Sequence, residues 1–242
     1  MEKPLIEFQD VTKRFGDRTI LDGVNLEIYE GQVTTIIGKS GTGKSVLLKH
    51  IIGLLKPDEG RIFLDEEDIT DYPMYLRARR GVGYLPQETS IFRKLSVKQN
   101  IMAILEILSI SSEEREDRAS MLLEELGIKH LASQKASVLS GGEKRRLEIS
   151  RALATNPSFI LLDEPFAGID PLAINDIKNI IVHLKRRGIG ILISDHNVRD
   201  TLGVCDKAFI LVDGEVIESG SPEKIATSEA ACRAYLGDEF KL

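Results

Sequence analysis

The run Gly38-Lys39-Ser40-Gly41-Thr42-Gly43-Lys44-Ser45 restricts the possible folds of this chain more than any other stretch. It fits G-x-x-x-x-G-K-[ST]. The apolar, β-branched run Val33-Thr34-Thr35-Ile36-Ile37 leads in, and Val46-Leu47-Leu48-Lys49-His50-Ile51-Ile52 leads out with a helical pattern. Strand, loop and helix is the setting in which this motif wraps a phosphate chain. The glycines let the backbone curl so that its N–H groups and the positive helix end surround the anion. Lys44 is expected to reach the β- and γ-phosphates and Ser45 to ligate Mg²⁺. A glycine-rich turn before a buried helix is the bland alternative, but the leading strand, the full spacing and the Lys-Ser pair occur together here.

With 242 residues, the chain can bury a substantial core as one α/β domain carrying a subdomain. The net charge of −6 argues against a nucleic-acid partner held by a generally basic surface. No uninterrupted apolar run of about eighteen residues occurs, and Met1-Glu2-Lys3-Pro4 lacks the apolar centre of a signal peptide. The expectation is therefore a cytoplasmic chain that does not itself span a membrane. Cys205 and Cys232 lack metal-ligand spacing and read as incidental or buried thiols.

Taken in order, Leu5-Ile6-Glu7-Phe8, Val24-Asn25-Leu26-Glu27-Ile28 and Arg61-Ile62-Phe63-Leu64 read as strands, the last following the turn Pro57-Asp58-Glu59-Gly60. Strands before the phosphate loop and after its helix predict an antiparallel sheet flanking a parallel one. Gly81-Val82-Gly83-Tyr84-Leu85 is a further short strand that stops at Pro86 and presents Gln87 on a loop. From about 96 to 155 the texture turns helical. Ser96 to Gln99 and Ser111 to Glu114 carry capping-box patterns, and Met121, Leu122 and Leu126 recur at helical spacing. The expected organisation is thus a core of 1–95 and 156–242, with 96–155 inserted as a helical subdomain.

That insertion ends in Leu139-Ser140-Gly141-Gly142-Glu143, which is locally a capped helix start but also leaves backbone donors open to an anion. Here the chain resembles the ATP-binding cassette ATPases, whose signature motif this is. The family's remaining marks follow in order. Phe159-Ile160-Leu161-Leu162-Asp163-Glu164 resembles its second nucleotide motif, Gly168-Ile169-Asp170 its D-loop and His196 its switch histidine, while Gln87 stands at the Q-loop and Phe15 at the adenine-stacking position. The resemblance extends from about residue 5 to residue 220. It implies a RecA-like P-loop core with a flanking antiparallel β-subdomain and a helical subdomain, hydrolysing ATP with Mg²⁺.

Carried over position by position, the resemblance gives ATP to Phe15, Gly38, Lys39, Ser40, Gly41, Thr42, Gly43, Lys44, Ser45 and Val46, and to Ser140, Gly141 and Gly142 of a second copy. Mg²⁺ falls to Ser45, Gln87 and Asp163. Catalysis falls to Glu164 with His196 and Gln87, and the D-loop contact to Asp170. Chemistry supports several of these placements. An apolar run closing in a carboxylate puts Asp163 at the end of a buried strand near the phosphates. Glu164, one residue on, points elsewhere and is free to polarise a water. By contrast, Asp170-Pro171 reads locally as a helix cap, and its subunit contact rests on resemblance. His50, His130 and His183 are given no function.

The implied assembly is a homodimer with ATP between its copies, seated under integral membrane permease subunits on the cytoplasmic face of the inner membrane. Leu85 to Val97, Phe159 to Asp170, Ser194 to Leu202 and Tyr235 to Leu242 resemble the lipopolysaccharide-export branch of the family. In that branch Phe92 and Arg93 line the groove that receives a permease helix, and Gly237 to Leu242 extend to a dimer contact. The stretch Lys39 to Gly60 is more similar to the phospholipid-trafficking branch. A lipid handled through the permease is common to both, and a soluble regulatory or assembly ATPase of the same family, working without a permease, is the remaining alternative.

Overall fold

β-Branched and aliphatic residues that alternate along the first sixty residues, and run unbroken in later short segments, build two sheets of different character. The computed structural model describes residues 3–236, so the expected tail contact at Gly237 to Leu242 lies outside the described residues. The chain forms β1 (Ile6–Phe15), β2 (Arg18–Ile28), β3 (Val33–Ile37), α1 (Lys44–Ile51), β4 (Glu59–Leu64), β5 (Glu67–Asp68), α2 (Met74–Arg79) and β6 (Val82–Leu85). It continues with α3 (Val97–Leu105), α4 (Ser112–Glu125), α5 (Gly141–Leu153), β7 (Phe159–Asp163), α6 (Pro171–Arg186), β8 (Gly190–Ser194), α7 (Val198–Leu202), β9 (Lys207–Val212), β10 (Glu215–Gly220) and α8 (Pro222–Thr227).

One sheet has the antiparallel order β2-β1-β4-β5, and the other runs β10-β9-β3-β8-β7-β6. In the second, β9, β3, β8, β7 and β6 are parallel and β10 pairs antiparallel at the edge. The runs VTTII and GILIS are buried at every position, as a strand covered on both faces requires. β2 instead alternates, burying Leu21, Val24, Leu26 and Ile28.

β1 and β2 are longer than the sequence pattern predicts, reaching Phe15 and starting at Arg18. Bulges interrupt their pairing between Phe8 and Arg14, with Asp10 and Gly23 in left-handed backbone, and each bulge breaks the two-residue period that reveals a strand. α4 buries Leu122 and Leu123, and Leu126 after it is buried too, whereas Met121 faces out, 68 % exposed. The apolar period there belongs to the neighbouring residues. Both expected serine caps form at Ser96 and Ser111, the first with a full reciprocal capping box.

Behind the phosphate loop, Arg77 is buried with its guanidinium on carbonyls of Tyr72, His50, Ile51, Ile69 and Thr70. It closes the carboxyl end of α1, whose last carbonyls have no partner within the helix. The amino end of α1 is thereby held where β3 delivers it. β3, β7 and β8 end side by side at the same edge of the parallel sheet, so the loops after them converge. That edge, where the connections leaving the neighbouring strands β3 and β8 run in opposite directions, to β6 and to β9, is where open α/β sheets place ligands.

Candidate functional site

The loops after β3, β7 and β8, with the hairpin of β1 and β2, enclose a cleft of ≈ 320 Å³. Ser40, Gly41, Gly43, Lys44, Ser45 and Val46 line it from the phosphate loop; Phe15, Gln87, Asp163, Glu164 and His196 line it opposite. Residues from five separate regions of sequence are thus brought together. Gly43 has φ +104°, and a Cβ there would meet the Ile20 carbonyl at 2.8 Å, so both conformation and space demand glycine. Gly38 is buried against the Leu211 carbonyl; Thr42 hydrogen-bonds the Lys39 carbonyl at 2.9 Å. The Lys39 side chain is exposed and does not line the cleft.

Lys44 is buried, and its ammonium donates to the carbonyls of Gly38 and Lys39. Burial holds its pKa below the usual lysine value, with the Glu164 carboxylate acting the other way. An ammonium so placed gains from any anion that enters.

Asp163 ends β7, and Glu164 follows in left-handed backbone with φ 47°, its amide donating to the Ser194 carbonyl at 2.7 Å. This strained turn aims the two adjacent carboxylates differently. Gln87 Nε2 donates to one oxygen of Glu164 at 2.8 Å, and His196 Nε2 lies 3.0 Å from the other. Asp163 is raised above the ordinary carboxylate pKa, first by burial and next by the Glu164 charge. Ser45, Gln87 and Asp163 offer oxygen donors to one space, the donor type that a hard cation such as Mg²⁺ takes.

Ser140, Gly141, Gly142 and Asp170 are not part of this cleft. With His130, Arg146 and Asp176 they line a second one, of ≈ 480 Å³, and the two clefts share no lining residue. Ser140 caps α5, and Glu143 in return accepts from both the amide and the hydroxyl of Ser140 at 2.8 Å. A Cβ on Gly142 would stand 3.0 Å from that of Ala173. The glycines therefore let the helix start pass close to the segment beginning at Asp170, whose side chain caps α6 through the Leu172 amide.

Phe92 and Arg93 lie elsewhere again. Phe92 is 45 % exposed under the Arg151 guanidinium, 4.5 Å from its ring centre, beside a groove lined by Ile52, Met74, Val82, Tyr84 and Arg151. Arg93 is exposed, and its carbonyl accepts from Ser137 at 3.2 Å.

Sequence reading missed Arg18, Ile20, Ser194 and Asp195 as lining residues of the first cleft. Asp195 also accepts from the amides of Phe166 and Asn197 at 3.0 and 2.8 Å, fixing the turns beside Glu164 and His196. Its place next to His196 at the end of an apolar run was the available signal. Arg145 was missed too. Nearly buried, it donates to carbonyls of Pro86, Asp163, Glu164 and Pro165, and no local pattern announces that role.

Comparison with known proteins matches residues 21–167 to the family described as "ABC transporter". The lipopolysaccharide export system ATP-binding protein LptB of Escherichia coli (strain K12) is 48% identical over 235 residues, covering 97% of this chain and 98% of that one. Among solved structures, a nucleotide-free ATP-binding cassette from an ABC transporter superposes with TM-score 0.86 at 31% identity, covering 98% of this chain and 100% of the other. A dimeric post-hydrolysis state of the cassette MJ0796 bound to ADP and Pi gives TM-score 0.77 at 29% identity, over 90% of this chain and 98% of that one.

Proposed function

The chain belongs to the ABC transporter family and is an ATP-binding, ATP-hydrolysing cassette, and from that premise we propose that it energises lipopolysaccharide extraction and export through a membrane permease. The observation that carries this reading is the near-full-length likeness to LptB, joined to a cleft in which the phosphate loop faces Glu164.

The chemistry proposed follows from the cleft. Lys44 and the amides of the phosphate loop hold the β- and γ-phosphates, while Phe15, 49 % exposed at the rim, offers its ring to adenine. Ser45 and Asp163, with Gln87, are assigned to Mg²⁺, which when bound neutralises charge on the phosphates. Glu164 takes a proton from the attacking water as general base. Gln87 and His196, one on each carboxylate oxygen, hold Glu164 in orientation, and His196 is also assigned to the γ-phosphate. Phosphoryl transfer depends mostly on such positioning and charge neutralisation.

Ser140 to Gly142 line a different cleft from Lys44, so they are assigned to the nucleotide of a second copy, with Asp170 at the subunit contact. A head-to-tail homodimer closed by ATP and released by hydrolysis follows, since the γ-phosphate is then a ligand of both halves. We take residues 96–155 as the helical subdomain and the remainder as the RecA-like core with its antiparallel subdomain. No helix among the described residues is long and apolar enough to cross a membrane. The proposed location is the cytoplasmic face of the inner membrane, held by permease helices seated in the groove beside Phe92 and Arg93.

A second reading, ATP-driven phospholipid trafficking, is favoured by the stretch Lys39 to Gly60. Proteoliposomes containing this ATPase and its permease, loaded with both lipids, separate the two. ATP-dependent release of lipopolysaccharide is the expected result, and release of phospholipid alone would install the second reading.

A further inference from the structure

Gln87 sits on a loop that is neither helix nor strand, yet α5 grips that loop on both sides of it. Ahead of Gln87, Arg145 Nη1 donates to the Pro86 carbonyl at 3.1 Å. Beyond it, Glu148 Oε1 accepts the Ser90 amide at 2.8 Å, and Arg151 Nη1 donates to the Ser90 carbonyl. Further along, Asn100 of α3 satisfies both backbone groups of Phe92, at 2.7 and 3.1 Å.

Glu148 is 4% exposed, and its second oxygen meets Arg145 Nη1 at 3.2 Å. Burying a carboxylate costs stability unless its oxygens are engaged, and here one is spent on an amide 58 residues away in sequence. α5 does not need this contact for capping, because Ser140 and Glu143 close its start.

We propose that Glu148 is a positioning residue for ATP hydrolysis: by holding Ser90 it fixes the loop so that the Gln87 amide meets the Glu164 carboxylate. A displacement of α5, the helix that Ser140 caps, then carries Gln87 with it. The arrangement of the second cleft is in this way felt at the general base of the first. The inference rests on the assignment of Glu164 and Gln87 to hydrolysis.

The test is steady-state ATP hydrolysis by the purified full chain, as a double-mutant cycle of Glu148→Ala and Gln87→Ala. Glu148→Ala is expected to lower kcat about tenfold with KM for ATP within about twofold, since the phosphate loop is untouched. Because Glu148 acts through Gln87, the double variant should be no slower than the slower single one. Arg151→Met removes the other half of the Ser90 grip and leaves the Arg145–Glu148 pair intact. It should show the same split and stands in if Glu148→Ala does not fold. Losses that multiply across the cycle, or KM rising in step with a falling kcat, overturn the proposal while the Gln87 assignment stands. Full kcat in Gln87→Ala alone removes that assignment and the proposal with it.

Discussion

The Gln87 side-chain amide donates to one oxygen of the Glu164 carboxylate at 2.8 Å, while the His196 imidazole lies 3.0 Å from the other. A carboxylate held on both sides keeps its lone pairs aimed, which is what abstracting a proton from a positioned water requires. Glu164→Gln retains the shape and one acceptor but loses the base. Its kcat should fall by at least about a hundredfold with ATP affinity preserved, measured by phosphate release and by equilibrium binding of labelled ATP. Turnover within tenfold of the parent would assign the base elsewhere.

Separate clefts for Lys44 and for Ser140 to Gly142 lead to a complementation result. Lys44→Ala and Gly142→Asp should each be inactive alone, the first without its phosphate ligand and the second because a side chain there crowds the Ala173 Cβ, 3.0 Å from a Cβ at this position, and sets a carboxylate where a phosphate is to bind. Mixed, they form dimers in which one of the two sites has both parts intact. ATP hydrolysis should return on mixing and fall again when either variant is in large excess. Activity that stays absent in mixtures shown to contain mixed dimers would mean that both motifs serve one chain's own nucleotide.

Arg77 supports the phosphate-loop helix from behind without lining the first cleft. Burial lowers its pKa to about 10, so it remains charged at neutral pH while bonded to five carbonyls. Arg77→Ala strands those acceptors and empties the site, and should cost about 3 kcal/mol or more in urea unfolding. Arg77→Lys, with a single nitrogen in place of the fork, should recover only part of it.

Cys205 is buried, and its thiol is pushed up to about 12 from 9.0, chiefly by burial. The folded chain thus holds a proton that the unfolded chain releases, so this group's contribution to stability is complete below pH 9 and is lost as pH rises toward 12. At pH 8.5 a thiolate-selective reagent should modify Cys205 about a thousandfold more slowly in the native chain than in urea. Comparable rates would mean that the site opens readily.

The residues of the first cleft were legible in sequence where their pattern is local. Gly38 to Ser45 carries its own strand, loop and helix, and Asp163-Glu164 closes an apolar run. What local pattern did not reveal are contacts made across the fold. Asp195 anchors turns at Phe166 and Asn197, and Arg145 and Glu148 tie α5 to the loop of Gln87, across up to 59 residues of sequence. The true lengths of β1 and β2 were hidden for another reason, since bulges near Asp10 and Gly23 shift the side-chain alternation by which strands are recognised. His183 looked unpartnered by spacing, yet its Nε2 lies 2.8 Å from Glu125 of α4.

The assignment to lipopolysaccharide export is tested most directly by recovering the Glu164→Gln chain from detergent-solubilised native membranes with ATP present and identifying what accompanies it by mass spectrometry. Loss of the base should hold the ATP-closed dimer on its partners. Integral permease subunits carrying lipopolysaccharide are the expected companions; a permease carrying phospholipid, or soluble proteins alone, would contradict the assignment.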